Sequence, residues 1–310
     1  MTIAQSINKN YIAFLSLSLV FVVTFTLGLL KDPRMKYLGK NQSSDLSLLP
    51  VLSDVNSLPV LSAQGVIAKD IKSGVTLYEK NPEKELLPAS TTKIMTAVVS
   101  LDYYSLEEII TVDRVIVGGQ KMGLVNNEEI SVKDLLYGLL VYSANDAAEV
   151  LAKNYPGGRE NFISEMNRKA HELYLESTVF VNPTGLEDPG HISSAKDLVR
   201  LSEIAMQDKR FSEIVGTKNW VAKSVDGSQV HYLTNINELL GKVDGVLGVK
   251  TGWTENAREN LVSFIERGDK QILIALLGSQ DRFGETEELI NWIFESYDWK
   301  NIEYVHYSAP

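Results

Sequence analysis

Residues 87–97 read Leu-Pro-Ala-Ser-Thr-Thr-Lys-Ile-Met-Thr-Ala, and they combine the start of a helix with a serine–lysine pair. Pro88 favours the first turn of a helix, and apolar residues recur with helical spacing at positions 94, 97, 98 and 101. Ser90 and Lys93 are three residues apart, so their side chains share one helix face and can meet. Ser90 is expected near the helix N-terminus, where backbone N–H groups favour developing negative charge.

Two further motifs follow this Ser-x-x-Lys sequence. Ser-x-x-Lys occurs three times, beginning at Ser6, Ser90 and Ser193. Only the copy at Ser90 lies upstream of both Ser-Ala-Asn at residues 143–145 and Lys-Thr-Gly at residues 250–252. The ordered triple is typical of class A β-lactamases and penicillin-binding proteins, and it indicates a serine acyl-enzyme. Ser6 is interpreted as part of a polar tail, and Ser193 as the N-cap of the helix that follows it.

The chemistry of acylation explains why serine and lysine are paired. Serine is a poor nucleophile until a neighbouring base accepts its proton. Lys93 can be that base only when it is uncharged, so its pKa must fall from the unperturbed value of about 10.4. Burial and a nearby positive charge both lower a lysine pKa, and Lys250 is the predicted second charge.

Beyond the motifs, the chain resembles the bacterial serine-type D-Ala-D-Ala carboxypeptidases, the low-molecular-mass penicillin-binding proteins, from about Ser62 to about Tyr297. The resemblance rests on five stretches, residues 87–97, 134–148, 182–186, 191–197 and 249–254. One position departs from the family pattern. After Ala257 the family usually has Gly, whereas this chain has Arg258, so the geometry of that turn is left open.

The resemblance implies catalytic roles for residues of the first two motifs. Ser90 would attack the carbonyl of the penultimate D-Ala, and Lys93 would accept its proton. Ser143 would relay a proton to the leaving D-Ala amine. Asn145 would hold the substrate amide and orient Lys93. The backbone N–H groups of Ser90 and Trp253 would form the oxyanion hole, where negative charge develops.

Substrate recognition is implied for the third motif and for one arginine. Lys250 and Thr251 would supply a charge and a hydroxyl to the terminal carboxylate. Gly252 would let the strand approach the bound substrate closely. Arg282 matches a family arginine near the substrate carboxylate, and the alternative is a surface arginine beside Asp281.

Composition narrows the classes of partner. The chain has 310 residues and a net charge of −10, which argues against binding nucleic acid or anionic lipid broadly. Four His and no Cys give no metal-ligand spacing, and no phosphate loop is found, so neither metal nor cofactor is predicted. His191 is interpreted as a structural hydrogen-bonding residue. The resemblance implies peptidoglycan stem peptides ending in D-Ala-D-Ala as substrates, and β-lactams as covalent inhibitors.

The N-terminal region predicts a membrane anchor. Tyr11 to Leu30 is 20 residues without a charge, long enough for the roughly 30 Å of a bilayer core. A cleaved signal peptide is the alternative, although no small-residue cleavage site follows the segment. The predicted organisation is a tail (1–10), a single transmembrane anchor (11–30), a linker (31–61), a catalytic domain outside the cytoplasm (62–298) and a C-terminal tail (299–310).

Within the catalytic domain the pattern predicts an α+β fold. Hairpins are expected from strands at 65–70 and 75–79, and from strands at 261–266 and 271–277. Helical periodicity dominates between Ile94 and Ala205, and a closing amphipathic helix is expected from Glu285 to Tyr297. The resemblance implies the serine β-lactamase/D,D-peptidase-like fold, an antiparallel sheet flanked by helices with a helical lobe beside it.

Four functions remain open at this stage. The first is a D,D-carboxypeptidase, and the second is a D,D-endopeptidase that cuts peptidoglycan crosslinks with the same residues. The third is a β-lactamase, which needs a deacylating carboxylate; Glu187 and Asp188 are the candidates. The fourth is a receptor that senses β-lactams, for which a cytoplasmic tail of residues 1–10 is short.

Overall fold

The strands form one large sheet and three two-stranded ribbons in a computed structural model that describes residues 48–53 and 57–301. The strands are β1 (Leu49–Leu52), β2 (Gly65–Asp70), β3 (Thr76–Lys80), β4 (Ile109–Thr111), β5 (Glu129–Ser131), β6 (Asn219–Lys223), β7 (Val230–Thr234), β8 (Val246–Thr254), β9 (Arg258–Arg267), β10 (Lys270–Ser279) and β11 (Tyr297–Lys300). The helices are α1 (Lys93–Tyr103), α2 (Val132–Leu140), α3 (Asn145–Asn154), α4 (Gly158–Glu172), α5 (Ala195–Ala205), α6 (Lys209–Val215) and α7 (Arg282–Ser296).

The large sheet is antiparallel, with the strand order β3-β2-β10-β9-β8. Successive side chains of the central strand β10 point to opposite faces of the sheet. The strand is apolar on both faces because each face is buried in a hydrophobic core. One face packs with α7 through Ile272, Ile274 and Leu276. The other face packs with α5 and the helical lobe through Leu273, Ala275 and Leu277. The sheet is therefore covered on both sides, and the lobe lies on the α5 side.

The expected α+β class is confirmed, and the expected strands lie within a few residues of β2, β3, β9 and β10. The closing helix α7 begins at Arg282, three residues earlier than expected. Asp281 is its N-cap, and its Oδ1 accepts a hydrogen bond of 2.9 Å from the Gly284 N–H. An N-cap carboxylate satisfies a free N–H group of the first turn, which explains the earlier start.

The predicted N-cap at Ser193 is wrong, because α5 is capped by Ser194. The Ser194 Oγ accepts from the Asp197 N–H at 3.1 Å. Ser193 instead forms a backbone bridge with Leu86, and its Oγ lies 2.9 Å from Thr178 Oγ1. Either serine suits a cap by residue type, and the bridge to Leu86 decides between them.

The segment predicted as a linker includes a strand. β1 pairs antiparallel with β11, so that Leu49 lies opposite Lys300 and Leu52 opposite Tyr297. The predicted tail (1–10) and anchor (11–30) lie outside the described residues, as do residues 31–47, 54–56 and 302–310. Among the residues that are described, no helix has both the length and the apolar character needed to span a bilayer.

Candidate active site

Ser90 lies in a short 3-10 turn, Ala89–Thr92, that runs directly into α1. Ala89 has a φ of 48°, in the left-handed region, and Thr91 Oγ1 donates to the Pro88 carbonyl at 2.7 Å. Lys93 is the first residue of the α-helix. A helix was expected to start just after Pro88; the 3-10 turn begins there, whereas the α-helix begins at Lys93, so Ser90 belongs to the tighter turn that precedes the helix.

Lys93 is completely buried and contacts three oxygen atoms. Its Nζ lies 2.9 Å from Ser90 Oγ, 2.7 Å from Asn145 Oδ1 and 2.6 Å from the Thr184 carbonyl oxygen. Burial lowers the pKa of Lys93 to about 7, and the negative charge of Asp146 opposes this shift. A large share of Lys93 is therefore uncharged near neutral pH, as a proton acceptor for Ser90 must be.

Ser143 and Lys250 form a second hydroxyl–amine pair. The Lys250 Nζ donates to Ser143 Oγ at 2.9 Å and to the Thr251 carbonyl at 3.0 Å. Burial lowers the pKa of Lys250 well below its ordinary value, and the positive charges of Lys93 and Arg282 lower it further. Burial together with the charge of Lys250 was expected to lower the pKa of Lys93. Burial is the largest cause at both lysines, and the two amines repel each other when both are charged.

Asn145 connects Lys93 to residues 112–128, the β4–β5 loop. It is the first residue of α3. Its Oδ1 accepts from Lys93, and its Nδ2 donates to the Gly118 carbonyl at 2.8 Å. Its backbone N–H donates to the Gln120 carbonyl at 2.7 Å. The loop therefore holds both the backbone and the side-chain amide of Asn145, and this turns the amide oxygen toward Lys93.

Strand β8 passes directly over the turn that carries Ser90. A Cβ at Gly252 would lie 3.0 Å from the Pro88 carbonyl oxygen and 3.2 Å from the Ser90 nitrogen. A side chain at position 252 would thus crowd this contact between backbones, in addition to the substrate that the sequence predicts to approach here. On either side of it, Thr251 Oγ1 is buried without a hydrogen-bond partner in the described part of the chain, and Trp253 is 62% exposed.

Arg282 supports β8 from α7. Its Nη1 donates to the Gly252 carbonyl at 3.1 Å, and its backbone N–H donates to Glu259 Oε2 at 2.9 Å. Burial lowers the pKa of Arg282, opposed by the negative charges of Glu259 and Glu238. The side chain is partly buried against β8, in contrast to the surface arginine considered as the alternative.

Residues 182–186 form a loop that packs against the same turn. Asn182 Oδ1 accepts from the Gly185 N–H at 2.8 Å and from Thr184 Oγ1 at 2.8 Å. Gly185 has a φ of 80°, and a Cβ there would lie 1.9 Å from the Ala89 carbonyl oxygen. Only glycine fits this position. Because the loop approaches the turn so closely, the Thr184 carbonyl oxygen lies within hydrogen-bonding distance of Lys93 Nζ.

His191 supports the 3-10 turn that carries Ser90 through a contact with Thr92. Its Nε2 lies 2.8 Å from Thr92 Oγ1 in the 3-10 turn. Burial lowers the pKa of His191 to about 4, the positive charge of Lys93 lowers it further, and Asp188 opposes the shift. His191 is therefore uncharged at neutral pH, in agreement with the structural role that the sequence suggested.

The residue that departs from the resembled family, Arg258, begins β9 directly after the β8–β9 turn. Its φ is 59°, so the backbone that leaves the turn adopts a left-handed conformation in which glycine is usual. The neighbouring Asn256 donates to the Glu187 carboxylate through its backbone N–H at 2.8 Å and through its Nδ2 at 2.6 Å. The turn thus keeps the backbone conformation that glycine favours and is tied to the loop that contains Glu187.

Sequence reasoning missed the backbone groups that complete the site. The carbonyls of Thr184, Gly118 and Gln120 carry no side-chain signal. One signal was present in the Gly118–Gly119 pair, because adjacent glycines often mark a close backbone approach. A Cβ at Gly119 would lie 2.7 Å from Asn145 Nδ2.

Comparison with known proteins identifies the family. The sequence profile of the D-alanyl-D-alanine carboxypeptidase family, Peptidase S11, matches residues 53–281. D-alanyl-D-alanine carboxypeptidase DacF of Bacillus subtilis is 31% identical over 247 residues, 76% of this chain and 63% of the relative. The match thus spans just under two thirds of that protein. A D-alanyl-D-alanine endopeptidase of Pseudomonas aeruginosa is 32% identical over 253 residues, 75% of this chain and 77% of the relative.

The fold leads to the same family. The crystal structure of the Streptomyces K15 DD-transpeptidase superimposes with a TM-score of 0.73 at 30% sequence identity. The alignment covers 77% of this chain and all of the Streptomyces protein. The architecture is therefore the α+β fold of penicillin-binding proteins and β-lactamases. Profile, relatives and fold agree, and the chain belongs to the D-alanyl-D-alanine carboxypeptidase family, Peptidase S11.

Proposed function

We propose that the protein is a serine D-Ala-D-Ala carboxypeptidase that removes the terminal D-Ala from peptidoglycan pentapeptide. The observation that carries this proposal is the buried amine of Lys93, with a pKa of about 7, at 2.9 Å from Ser90 Oγ. A hydroxyl next to an uncharged amine is the arrangement that acyl transfer requires. The substrate class is supported by the carboxypeptidases among the relatives.

In the acylation step, Ser90 Oγ attacks the carbonyl carbon of the penultimate D-Ala while Lys93 accepts the hydroxyl proton. The C–N bond then breaks, and the proton passes through Ser143 to the nitrogen of the leaving D-Ala. Ser143 suits this relay because its Oγ accepts a hydrogen bond from Lys250 and can donate its own proton. An ester on Ser90 remains, and a water molecule hydrolyses it to restore the free serine.

Recognition of the terminal carboxylate is assigned to β8 and its neighbour. The Thr251 hydroxyl is buried and has no hydrogen-bond partner among the described residues, so it is available to a carboxylate oxygen. Lys250 and Arg282 supply positive potential at the same strand. The backbone N–H groups of Ser90 and Trp253 are proposed as the oxyanion hole, because Gly252 brings their two segments together.

The test of this proposal is covalent labelling by penicillin, which would be opened by the same serine. Intact mass of the wild type should rise by the mass of the drug, and the modified peptide should contain Ser90. Ser90→Ala should abolish the adduct. The matched control is Ser193→Ala, which removes the serine of another Ser-x-x-Lys copy and should leave labelling in place. Labelling that survives Ser90→Ala would refute the assignment.

The same residues support a second candidate, a D,D-endopeptidase that cuts peptidoglycan crosslinks. One relative is named an endopeptidase, and the acylation chemistry is identical. The two candidates differ in the group that leaves, a free D-Ala or the crosslinked amine of another stem peptide. Incubation with a pentapeptide and with a crosslinked dimer, followed by mass spectrometry of the products, distinguishes them. Release of D-Ala from the pentapeptide is the expected result.

The β-lactamase alternative is less well supported. A β-lactamase needs a carboxylate that activates water for deacylation, and Glu187 and Asp188 were the candidates. The Asp188 carboxylate accepts a hydrogen bond from the Gly190 N–H within its own loop. The Glu187 carboxylate accepts two hydrogen bonds from Asn256. It thus serves to link two loops. We expect the penicillin adduct to persist for much longer than the acyl-enzyme of a peptide substrate.

Attachment to the membrane is part of the proposal. The 20 uncharged residues from Tyr11 to Leu30 support a single span, and a peptidoglycan substrate requires the catalytic domain to lie outside the cytoplasm. The full-length protein should fractionate with membranes and resist carbonate extraction. N-terminal sequencing should find Met1 or a residue close to it. Mature protein beginning beyond Leu30 in the medium would establish a cleaved signal peptide.

A further inference from the structure

A buried pair of titratable residues, His231 and Glu128, lies beneath the β4–β5 loop. The His231 Nε2 is 2.7 Å from Glu128 Oε1, and their side chains are 5% and 0% exposed. His231 belongs to β7, more than 100 positions away in sequence, and the Glu128 carbonyl accepts from the Val112 N–H at 2.7 Å, at the base of the loop. Neither residue belongs to the three motifs.

The partners of His231 determine where its protons lie. Nδ1 is 3.0 Å from the Met122 carbonyl oxygen, which can only accept a hydrogen bond, so Nδ1 carries a proton. Nε2 faces a carboxyl oxygen of Glu128, so a second proton lies in that contact on one atom or the other. With the proton between Nε2 and Oε1, the His231–Glu128 pair carries no net charge, and a pair without net charge can be buried. His231 therefore donates to the loop backbone.

Three buried side chains hold the loop at its centre. His231 binds the Met122 carbonyl, and Glu128 Oε2 accepts from the Val125 N–H at 3.0 Å. The Asp146 carboxylate accepts from three consecutive N–H groups, those of residues 122, 123 and 124, at 2.8–3.1 Å. These contacts fix the backbone on both its carbonyl and its N–H sides. Residues 122–125 thus occupy one defined position.

The preceding part of the same loop, residues 118–120, contacts the active site. The Gly118 and Gln120 carbonyls accept from the side chain and the backbone of Asn145, and Asn145 Oδ1 accepts from Lys93. A displacement at Met122 would move Gln120, two residues away, and with it the amide that orients Lys93. A change far from the reacting atoms that displaces a catalytic group by about 1 Å can lower the rate about 10²-fold.

We propose that His231 and Glu128 are positioning residues that hold the β4–β5 loop against Asn145 and thereby keep Lys93 aligned with Ser90. The inference rests on the proposed function, because it assumes that Ser90 is acylated.

Four variants test the contacts of His231 and Glu128 separately. His231→Leu and Glu128→Leu remove the pair. His231→Gln keeps a donor to Glu128 but loses the donor to Met122. Glu128→Gln keeps every contact, because its amide can donate to His231 Nε2 and its oxygen can accept from Val125.

The measurement is the first-order rate constant of acylation by a fluorescent penicillin, at a temperature well below each variant's melting temperature. We expect about a 10²-fold decrease in both leucine variants, a tenfold or larger decrease in His231→Gln, and a rate within about threefold of wild type in Glu128→Gln. His171→Leu, on the exposed end of α4, is the histidine control and should acylate normally.

Two results would overturn the inference. One is wild-type acylation in His231→Gln, and the other is a Glu128→Gln variant as slow as Glu128→Leu. If the leucine variants fail to fold, the two glutamine variants still test the inference. In each of them the unchanged residue of the His231–Glu128 pair keeps a hydrogen-bond partner. Absence of penicillin labelling in the wild type, with Ser90 unmodified, would instead refute the proposed function.

Discussion

The two sides of the active-site cleft are built differently. On the lobe side, Lys93 contacts three oxygen atoms, and both the side chain and the backbone of Asn145 are held by the β4–β5 loop. On the strand side, Thr251 Oγ1 and Arg282 Nε are buried, and neither has a hydrogen-bond partner within residues 48–53 and 57–301.

This difference separates chemistry from recognition. Groups that move a proton must be preorganised, and full hydrogen bonding on the lobe side holds them in place before substrate arrives. Groups that bind a ligand must keep free hydrogen-bonding capacity, and the strand side retains it. Substitutions on the lobe side should therefore lower the rate of acylation, whereas those on the strand side should also affect binding.

The largest expected effect comes from the lobe side. Lys93→Ala removes the proposed proton acceptor for Ser90, and loss of a general base typically lowers a rate by about 10²–10⁴. Stopped-flow acylation by penicillin measures the effect, with circular dichroism to verify the fold. Lys196→Ala is the control, since Lys196 occupies the same position in another Ser-x-x-Lys copy and pairs with Glu83 at the surface. Near-normal acylation of Lys93→Ala would indicate that another group is the base.

On the strand side, Lys250→Ala should impair both binding and rate, because Lys250 is proposed to bind the substrate carboxylate and also donates a hydrogen bond to Ser143. Loss of a charged hydrogen bond corresponds to roughly 1.5–3 kcal/mol, or about tenfold to 10²-fold in kcat/KM. Steady-state release of D-Ala measures it. A change confined to kcat would mean that Lys250 takes part only in proton transfer.

Arg282→Ala tests the proposed recognition of the terminal carboxylate, and about a tenfold increase in KM is expected for substrates in which this carboxylate is free. A pentapeptide with an amidated terminus is the matched substrate. Wild type and Arg282→Ala should process it equally, because it lacks the charge. If the substitution impairs both substrates to the same extent, Arg282 acts only by supporting the Gly252 carbonyl.

The pH dependence of acylation tests the state of Lys93. Because its pKa is lowered to about 7 and the uncharged amine is the active form, the acylation rate should fall about tenfold per pH unit below 7 and level off above it. Rates measured from pH 5 to 9 in buffers of constant ionic strength provide the profile. A rate that is flat across this range would contradict the role of Lys93 as base.

The smallest effect is expected outside the cleft, in the β8–β9 turn. Arg258→Gly relieves a left-handed conformation that disfavours side chains by roughly 1 kcal/mol. The midpoint of denaturant unfolding should rise, while the rate of penicillin acylation stays the same. A lower midpoint would mean that the Arg258 side chain contributes a stabilising contact that outweighs the strain.

The sequence predicted the elements of the fold well because they depend on local patterns. Two apolar runs on either side of a glycine-containing turn identified β9 and β10, and helical spacing after Pro88 identified α1. β1 was not predicted, since its pairing with β11 joins segments about 250 residues apart in the chain. No local pattern reports a contact of that range.

The sequence predicted the side chains of the candidate site, but it missed the backbone carbonyl groups that hold these side chains in place. Ser90, Lys93, Ser143 and Lys250 were singled out by motif, and the structure brings them together. The Thr184 carbonyl and the contacts of the β4–β5 loop were missed, because backbone groups are common to all residues. Gly252 was singled out for its approach to substrate, and its close contact with Pro88 and Ser90 is a second reason that only the three-dimensional structure reveals.

The buried amine of Lys93 also links folding to proton uptake. In the unfolded chain this lysine has the ordinary pKa of 10.5, and in the folded protein its pKa is about 7. Between these two values the unfolded state binds more protons, so the free energy of unfolding increases with pH, by up to about 1.4 kcal/mol per pH unit for one such group. Below pH 7 both states are protonated, and the full penalty of burying the charge opposes folding. The group proposed to activate Ser90 thus lowers the free energy of unfolding in acid, and an apolar residue at position 93 would remove both properties together.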